Sequence, residues 1–298
     1  MTNGMTHQKI DSSDRNVSKF IFTGKDVAVE SVLYRYPEYN ERTVLCVSTQ
    51  SGCPVGCTFC GTGRFFARSL TDSEIIEQVQ TSLSYIDCNP MDIKKFQIMF
   101  MSMGEPMLNL ENLIKAIKKL HTIYPTAQLL VSTSAPHISD KQYELFFETA
   151  REIPQVGLQF SVHESNDIAR KKLIPTKTSP LERIGKLGER FALITNRKPY
   201  FNYCVHHNNN KQKNIDELLK NFNPNVWEAT LSVICEKDNN MKNAIEQKLD
   251  LIQSFQQEIL NAGYSSRVFN PAGQDDIGGG CGQLWYFQEW VKKHLKVR

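Results

Sequence analysis

Six short runs rich in β-branched and aromatic residues punctuate this chain, each set apart from the next by a longer stretch of helical period. The runs are Thr43–Ser48, Phe96–Met101, Gln128–Ser132, Val156–Val162, Tyr200–Val205 and Ala229–Ile234. Strands that alternate with helices pair in parallel, because a helical crossover returns the chain to the same end of the sheet. The runs are almost continuously apolar, as strands covered on both faces require. The first helix opens on a capping box, Thr71 with Glu74, and carries Ile75, Ile76, Val79, Leu83 and Ile86 as one stripe. Leu110–Leu120 presents Leu113, Ile114 and Ile117 on one face, Ile245–Ala262 stops at Gly263, and Leu284–Leu295 closes the series. Six strand–helix units fall short of the eight that close a full barrel. The expectation is an α/β protein built as a partial (β/α)6 barrel, a single domain over residues 30–298 preceded by a polar N-terminal extension of residues 1–29.

Composition narrows the setting. No stretch approaches the roughly 20 apolar residues of a membrane span, and the N-terminus has no apolar signal core, so the eight cysteines are expected in a reducing cytoplasm. They are then ligands, reactive thiols or core packers. Thirty-five Lys and Arg against 32 Asp and Glu leave a net charge of +3, far weaker than the footprint of a dedicated nucleic-acid binder. Basic residues gather at Arg170, Lys171, Lys172 and Lys177, and again at Lys292, Lys293, Lys296 and Arg298; both groups read as solvated faces in preference to phosphate-binding patches. Gly278-Gly279-Gly280 runs into Cys281 in a stretch without periodicity, the mark of a loop that can bring a side chain to a barrel's mouth.

Cys53, Cys57 and Cys60 follow the first run, in the position where α/β barrels place their chemistry. A closed structural zinc site needs a fourth ligand that the loop lacks, whereas an iron–sulfur cluster held by three thiolates keeps one iron open. At these residues the chain resembles the radical SAM superfamily, whose C-x3-C-x2-C loop holds a [4Fe–4S] cluster with S-adenosylmethionine on the open iron; Phe59 matches that loop as well. Further motifs agree in order: Leu45 to Ser48 before the cluster loop, Met101 to Pro106, Ser132 to Ser134, Ser161 to His163 with Asn166, Asp167, Arg170 and Pro175, Gln274 to Ile277, and Cys281 to Leu284. Together they are similar to the radical SAM adenine methyltransferases of the RlmN/Cfr type, which methylate C2 or C8 of adenines in RNA.

That resemblance implies roles residue by residue. Cys53, Cys57 and Cys60 would hold the cluster, and Gly104, Glu105, Ser132, Ser161 and His163 would hold S-adenosylmethionine. Cys281 would accept a methyl group from one S-adenosylmethionine, a radical made from a second would abstract hydrogen from that S-methyl group, and the methylene radical would add to adenine. Cys46 would then close a transient disulfide with Cys281, and Glu30 would act as base on the adduct. The implied partners are RNA and a one-electron reductant protein such as flavodoxin, with no membrane. Two departures stand beside this match: Ile234-Cys235-Glu236-Lys237 replaces an Asn-containing loop of the family, and Gln274 stands where glycine is usual. Only 29 residues precede Glu30, where the family carries an RNA-binding domain, so the same chemistry on DNA, a nucleotide or a small metabolite is the alternative. A cluster protein that senses iron or oxygen would need no such pair as Cys46 and Cys281. Cys88, Cys204 and Cys235 match nothing in the pattern and read as core packers. His206-His207 reads as a polar loop.

Overall fold

The computed structural model describes residues 4–63, 65–232, 241–270, 272–273, 276–280, 283 and 286–294, with backbone alone for 241–248 and 288. In chain order the elements are β1 (Thr6–Asp11), β2 (Val17–Thr23), β3 (Ala28–Arg35), β4 (Arg42–Val47), β5 (Gln50–Gly52), β6 (Phe66–Ser69) and α1 (Asp72–Leu83). There follow β7 (Lys95–Phe100), α2 (Leu110–Ile123), β8 (Gln128–Thr133), α3 (Asp140–Glu152), β9 (Val156–Ser161), α4 (Asp167–Leu173) and α5 (Leu181–Thr195). The chain ends with β10 (Tyr200–Cys204), α6 (Gln212–Asn221), β11 (Glu228–Ser232), α7 (Met241–Asn261), β12 (Ser265–Phe269) and α8 (Tyr286–His294). The six expected strands are β4, β7, β8, β9, β10 and β11, each followed by a helix and each within about one residue of its expected ends, save that the expected end of β11 at Ile234 lies outside the described residues. Among the described residues no helix is long and apolar enough to cross a membrane.

The chain divides into two compact units. The first comprises residues 1–56, 60–131 and 271–298. Its strands run in the order β1-β2-β3-β4-β7-β8, antiparallel from β1 to β4 and parallel from β4 to β8. Residues 6–23, expected as part of a polar extension, instead form β1 and β2. In β2 the residues Val17, Phe20 and Phe22 have no exposure, and Lys19, the charge that makes the segment look polar, is itself buried against a carboxylate. The capping box at α1 forms as expected: Glu74 N donates to Thr71 Oγ1 at 3.2 Å and Thr71 N to Glu74 Oε2 at 2.9 Å.

The second unit comprises residues 57–59 and 132–270 and holds β9-β10-β11-β12, all parallel. Its core is aromatic: Phe222 meets Trp227 edge-on at 4.9 Å and Phe201 packs on Phe222 at 5.4 Å. Gly188 of α5 has no Cβ because one would fall 1.9 Å from the Trp227 ring. Arg170 corrects an expectation. It is buried rather than solvated, and its guanidinium donates to the carbonyls of Ser134, Ser161, Val162 and Ser179 and to Thr178 Oγ1. One planar fork thereby ties three chain segments together, a job that Lys could not do. Among the other expected core thiols, Cys204 is buried, Cys88 is half-exposed, and Cys235 lies outside the described residues.

Candidate functional site

In the first unit, the end of β4 and the turn after β7 are bound into one polar framework. The backbone carbonyl of Glu30 accepts from Ser48 Oγ at 2.6 Å and from Ser102 Oγ at 2.7 Å. Ser48 Oγ also accepts from Met103 N at 3.1 Å, and Gln78 brackets the Ser48 backbone with its amide, donating to O and accepting from N. These bonds fix where the segment leading to Cys53 departs from β4. Gly104 has φ +98°, a left-handed conformation, and a Cβ there would lie 2.8 Å from Gln50 N. That glycine lets the Met103–Pro106 turn lie on the backbone of Gln50, whose amide oxygen receives Glu105 N at 2.8 Å. Glu105 is buried, and its carboxylate accepts from Met107 N at 3.0 Å to cap the following short helical turn. It is a fixed acceptor held out of water, well suited to an ammonium group.

Cys53, Cys57 and Cys60 are each of intermediate exposure. Burial pushes the Cys53 thiol up to about 12, helped by the nearby charges of Glu105 and Cys60, and it raises Cys60 as well, with Glu30 adding to the rise. Such thiols ionise only against strong positive charge, which bound iron supplies. Among the described residues, no three His, Cys, Asp or Glu side chains gather around one point to hold a single metal ion. A three-thiol loop of this kind fits a cluster, in which each thiolate takes its own iron, better than one shared ion.

Cys46 lies in β4 opposite Val32 of β3 and packs in a buried group with Val17, Val32, Tyr34, Val44 and Met99. Ala272 and Ile277, from the segment leading to Cys281, cover the same group. Burial alone raises the Cys46 thiol to about 12, so it is neutral in this arrangement. The described residues on either side of Cys281 are tied to the same strands. Tyr34 Oη donates to Gly279 O, and Lys19 Nζ donates to Gly278 O at 3.3 Å and Gln283 O at 3.1 Å. Lys19 is also ion-paired with Glu30, whose Oε1 accepts Tyr286 N at 3.1 Å. Glu30 is fully buried; burial raises its pKa, while Lys19 and the amides of Phe287 and Tyr286 pull the other way. Cys281 itself lies outside the described residues, as do Gln274 and residues 233–240.

The second unit holds Ser132, Ser161 and His163. Ser132 Oγ accepts from Gln159 Nε2 at 3.2 Å, and Ser161 pairs with Asn202 across β9 and β10. His163 has φ +62° and is buried; its ring meets Phe59 edge-on at 5.2 Å, and its Nδ1 has no hydrogen-bond partner. Burial, with the Arg170 charge second, lowers its pKa to about 3, so the imidazole is neutral. Glu30, Cys46, Cys53, Cys60, Gly104 and Glu105 thus share the first unit, while Cys57, Ser132, Ser161 and His163 fall in the second. Sequence reasoning missed Lys19, Tyr34, Ser48 as a hub, and Gln50. Lys19 carried a legible signal, one charge inside the apolar run VSKFIF, facing an equally isolated Glu30 in VESVL.

The radical SAM superfamily matches residues 47–190. Over 302 aligned positions the chain is 29% identical to the probable dual-specificity RNA methyltransferase RlmN of Thermus thermophilus, covering 93% of this chain and 76% of that relative. The protein of the same name from Prochlorococcus marinus is 33% identical over 256 positions, covering 82% and 69%. Among solved structures, a radical SAM methyltransferase from Sphaerobacter thermophilus superimposes with a TM-score of 0.73 at 26% identity, covering 94% of this chain and 81% of that one.

Proposed function

The chain belongs to the RlmN family of radical SAM RNA methyltransferases, and on that premise we propose that it methylates C2 or C8 of an adenine in RNA through a methyl group carried on Cys281. One observation supports the methyl-cysteine reading: residues flanking Cys281 are bonded to β2 and to β3, the strand of Glu30, while Ala272 and Ile277 pack against the buried group that contains Cys46. A methyl-accepting thiol and the thiol that later releases the product have to reach each other, and a segment leading to Cys281 that packs on the group around Cys46 supports that pairing. When bound, the [4Fe–4S] cluster and S-adenosylmethionine supply one-electron cleavage of a C–S bond and, separately, a methyl group.

The chain's own residues do the rest. Cys53, Cys57 and Cys60 hold the cluster. Glu105, already fixed by Gln50 and Gly104, accepts the ammonium of S-adenosylmethionine. Ser132, Ser161 and the neutral His163 offer hydroxyl and imidazole partners to its ribose and carboxylate. Cys281 carries the methyl group to the adenine carbon, which is too poor a nucleophile for direct displacement. Glu30 would take the ring proton from the adduct as a one-electron acceptor takes up the adduct's unpaired electron, a task suited to a carboxylate whose proton affinity burial has raised. Cys46 then attacks the Cys281 sulfur, closing an S–S bond as the carbon–sulfur bond breaks and the product methyl is protonated. A one-electron reductant protein and a reducing cytoplasm complete the reading.

Nucleoside mass spectrometry on RNA and DNA from cells with and without the protein tests this reading. New 2- or 8-methyladenosine in RNA is expected. Unchanged RNA, or a methylated deoxyadenosine alone, would contradict it.

A further inference from the structure

Arg170 to Pro180 lines a cavity of about 430 Å³ in the second unit, the size of a pocket for a nucleotide-like group rather than a lone ion. Its chemistry points to an anion. Lys171 and Lys177 are exposed at the cavity, and Arg170 lies in its wall. Ser179 also lines it, has no exposure, and its hydroxyl oxygen makes no hydrogen bond. A buried hydroxyl left without a partner costs about 1–3 kcal/mol unless a ligand completes it. Thr178 Oγ1 accepts from Arg170 at 2.7 Å, which leaves its own proton to donate. The cavity's one carboxylate, Asp167, is turned to Leu181 N at 3.0 Å.

The rim is also held in place. Ser179 N donates to Ala135 O at 2.8 Å, His137 N to Lys177 O at 3.1 Å, Thr178 bridges to Pro136, and Arg170 holds Ser179 O. Donors fixed this way lose little freedom when an anion arrives. We propose that the Lys171, Lys177, Thr178 and Ser179 cavity binds a backbone phosphate of the RNA substrate. The proposal rests on the RNA reading above and adds to it a docking point distinct from the residues assigned to chemistry.

A hairpin RNA titrated against the whole reconstituted protein at several salt concentrations tests it. Lys171→Gln/Lys177→Gln should weaken binding about tenfold at moderate salt and flatten the slope of log K against log salt by about one, the loss of one phosphate contact. Ser179→Ala should weaken binding without changing that slope, because it removes a neutral donor and leaves no buried group unpaired. Both variants should cleave S-adenosylmethionine without RNA at the wild-type rate. Wild-type affinity and slope in both variants would overturn the proposal. If the wild-type chain shows no affinity for RNA, the RNA reading fails and the cavity is judged on inorganic phosphate by calorimetry. Phosphate binding that both variants lose would keep the cavity as a site for a phosphate ester, and no binding would overturn it.

Discussion

Gly104 shows how one residue can carry a site. Its φ of +98° and the 2.8 Å approach of an added Cβ to Gln50 N leave no room for a side chain. Gly104→Ala should cost about 1–3 kcal/mol in denaturant unfolding, and it should also weaken S-adenosylmethionine binding, because Glu105 is positioned by the same turn. Equal affinity in the variant would separate Glu105 from the cofactor. His163 makes a prediction in pH. Its pKa is lowered to about 3 from 6.5, so the stability it confers is complete above 6.5 and is lost as pH falls towards 3. His163→Gln should flatten that acid limb of the unfolding free energy. Glu105 was legible as a candidate because Gly and Pro flank it, yet its burial was not, since burial depends on Gln50, more than fifty residues away in the chain. Arg170 was misread for a like reason: its five acceptors come from segments whose meeting no local pattern announces.

At the scale of elements, the antiparallel β1–β3 sheet is what the sequence hid. Helical and strand periods revealed the β4 to β11 series, because each strand there is followed by an amphipathic helix, whereas VSKFIF and VESVL are broken by charges that neutralise each other across two strands. That Lys19–Glu30 pair also anchors the segment around Cys281 through Gly278 and Gln283. Removing one member of a buried pair costs about 3–5 kcal/mol, less whatever Glu30 recovers by taking up a proton. Burial already raises the Glu30 pKa above 4.5, so the folded chain holds that proton more firmly than the unfolded one. Stability from this group is therefore full below that value and lost as pH rises through the folded one. Lys19→Met, by raising Glu30 further, should destabilise more at about pH 8 than at about pH 5. Lys19→Met/Glu30→Gln should remove the difference, as urea unfolding at the two pH values would read. An identical loss at both would show that Lys19 acts only as packing.

At the scale of the whole molecule, a six-unit strand–helix series precedes the segment that holds Cys281. The series and the three-cysteine loop were legible from spacing alone; the neighbourhood of Cys46, Glu30 and the residues beside Cys281 was not, because more than 230 positions of chain separate its parts. The central claim is that Cys281 carries the methyl group and that Cys46 releases the product. Intact-protein mass spectrometry of Cys46→Ala, incubated with S-adenosylmethionine, reductant and RNA and weighed before and after nuclease digestion, tests it most directly. The variant should take up the methyl group, form the carbon–carbon bond and stall, leaving a nuclease-trimmed adduct that contains adenosine on Cys281. Turnover of Cys46→Ala at the wild-type rate with no trapped species would contradict the claim.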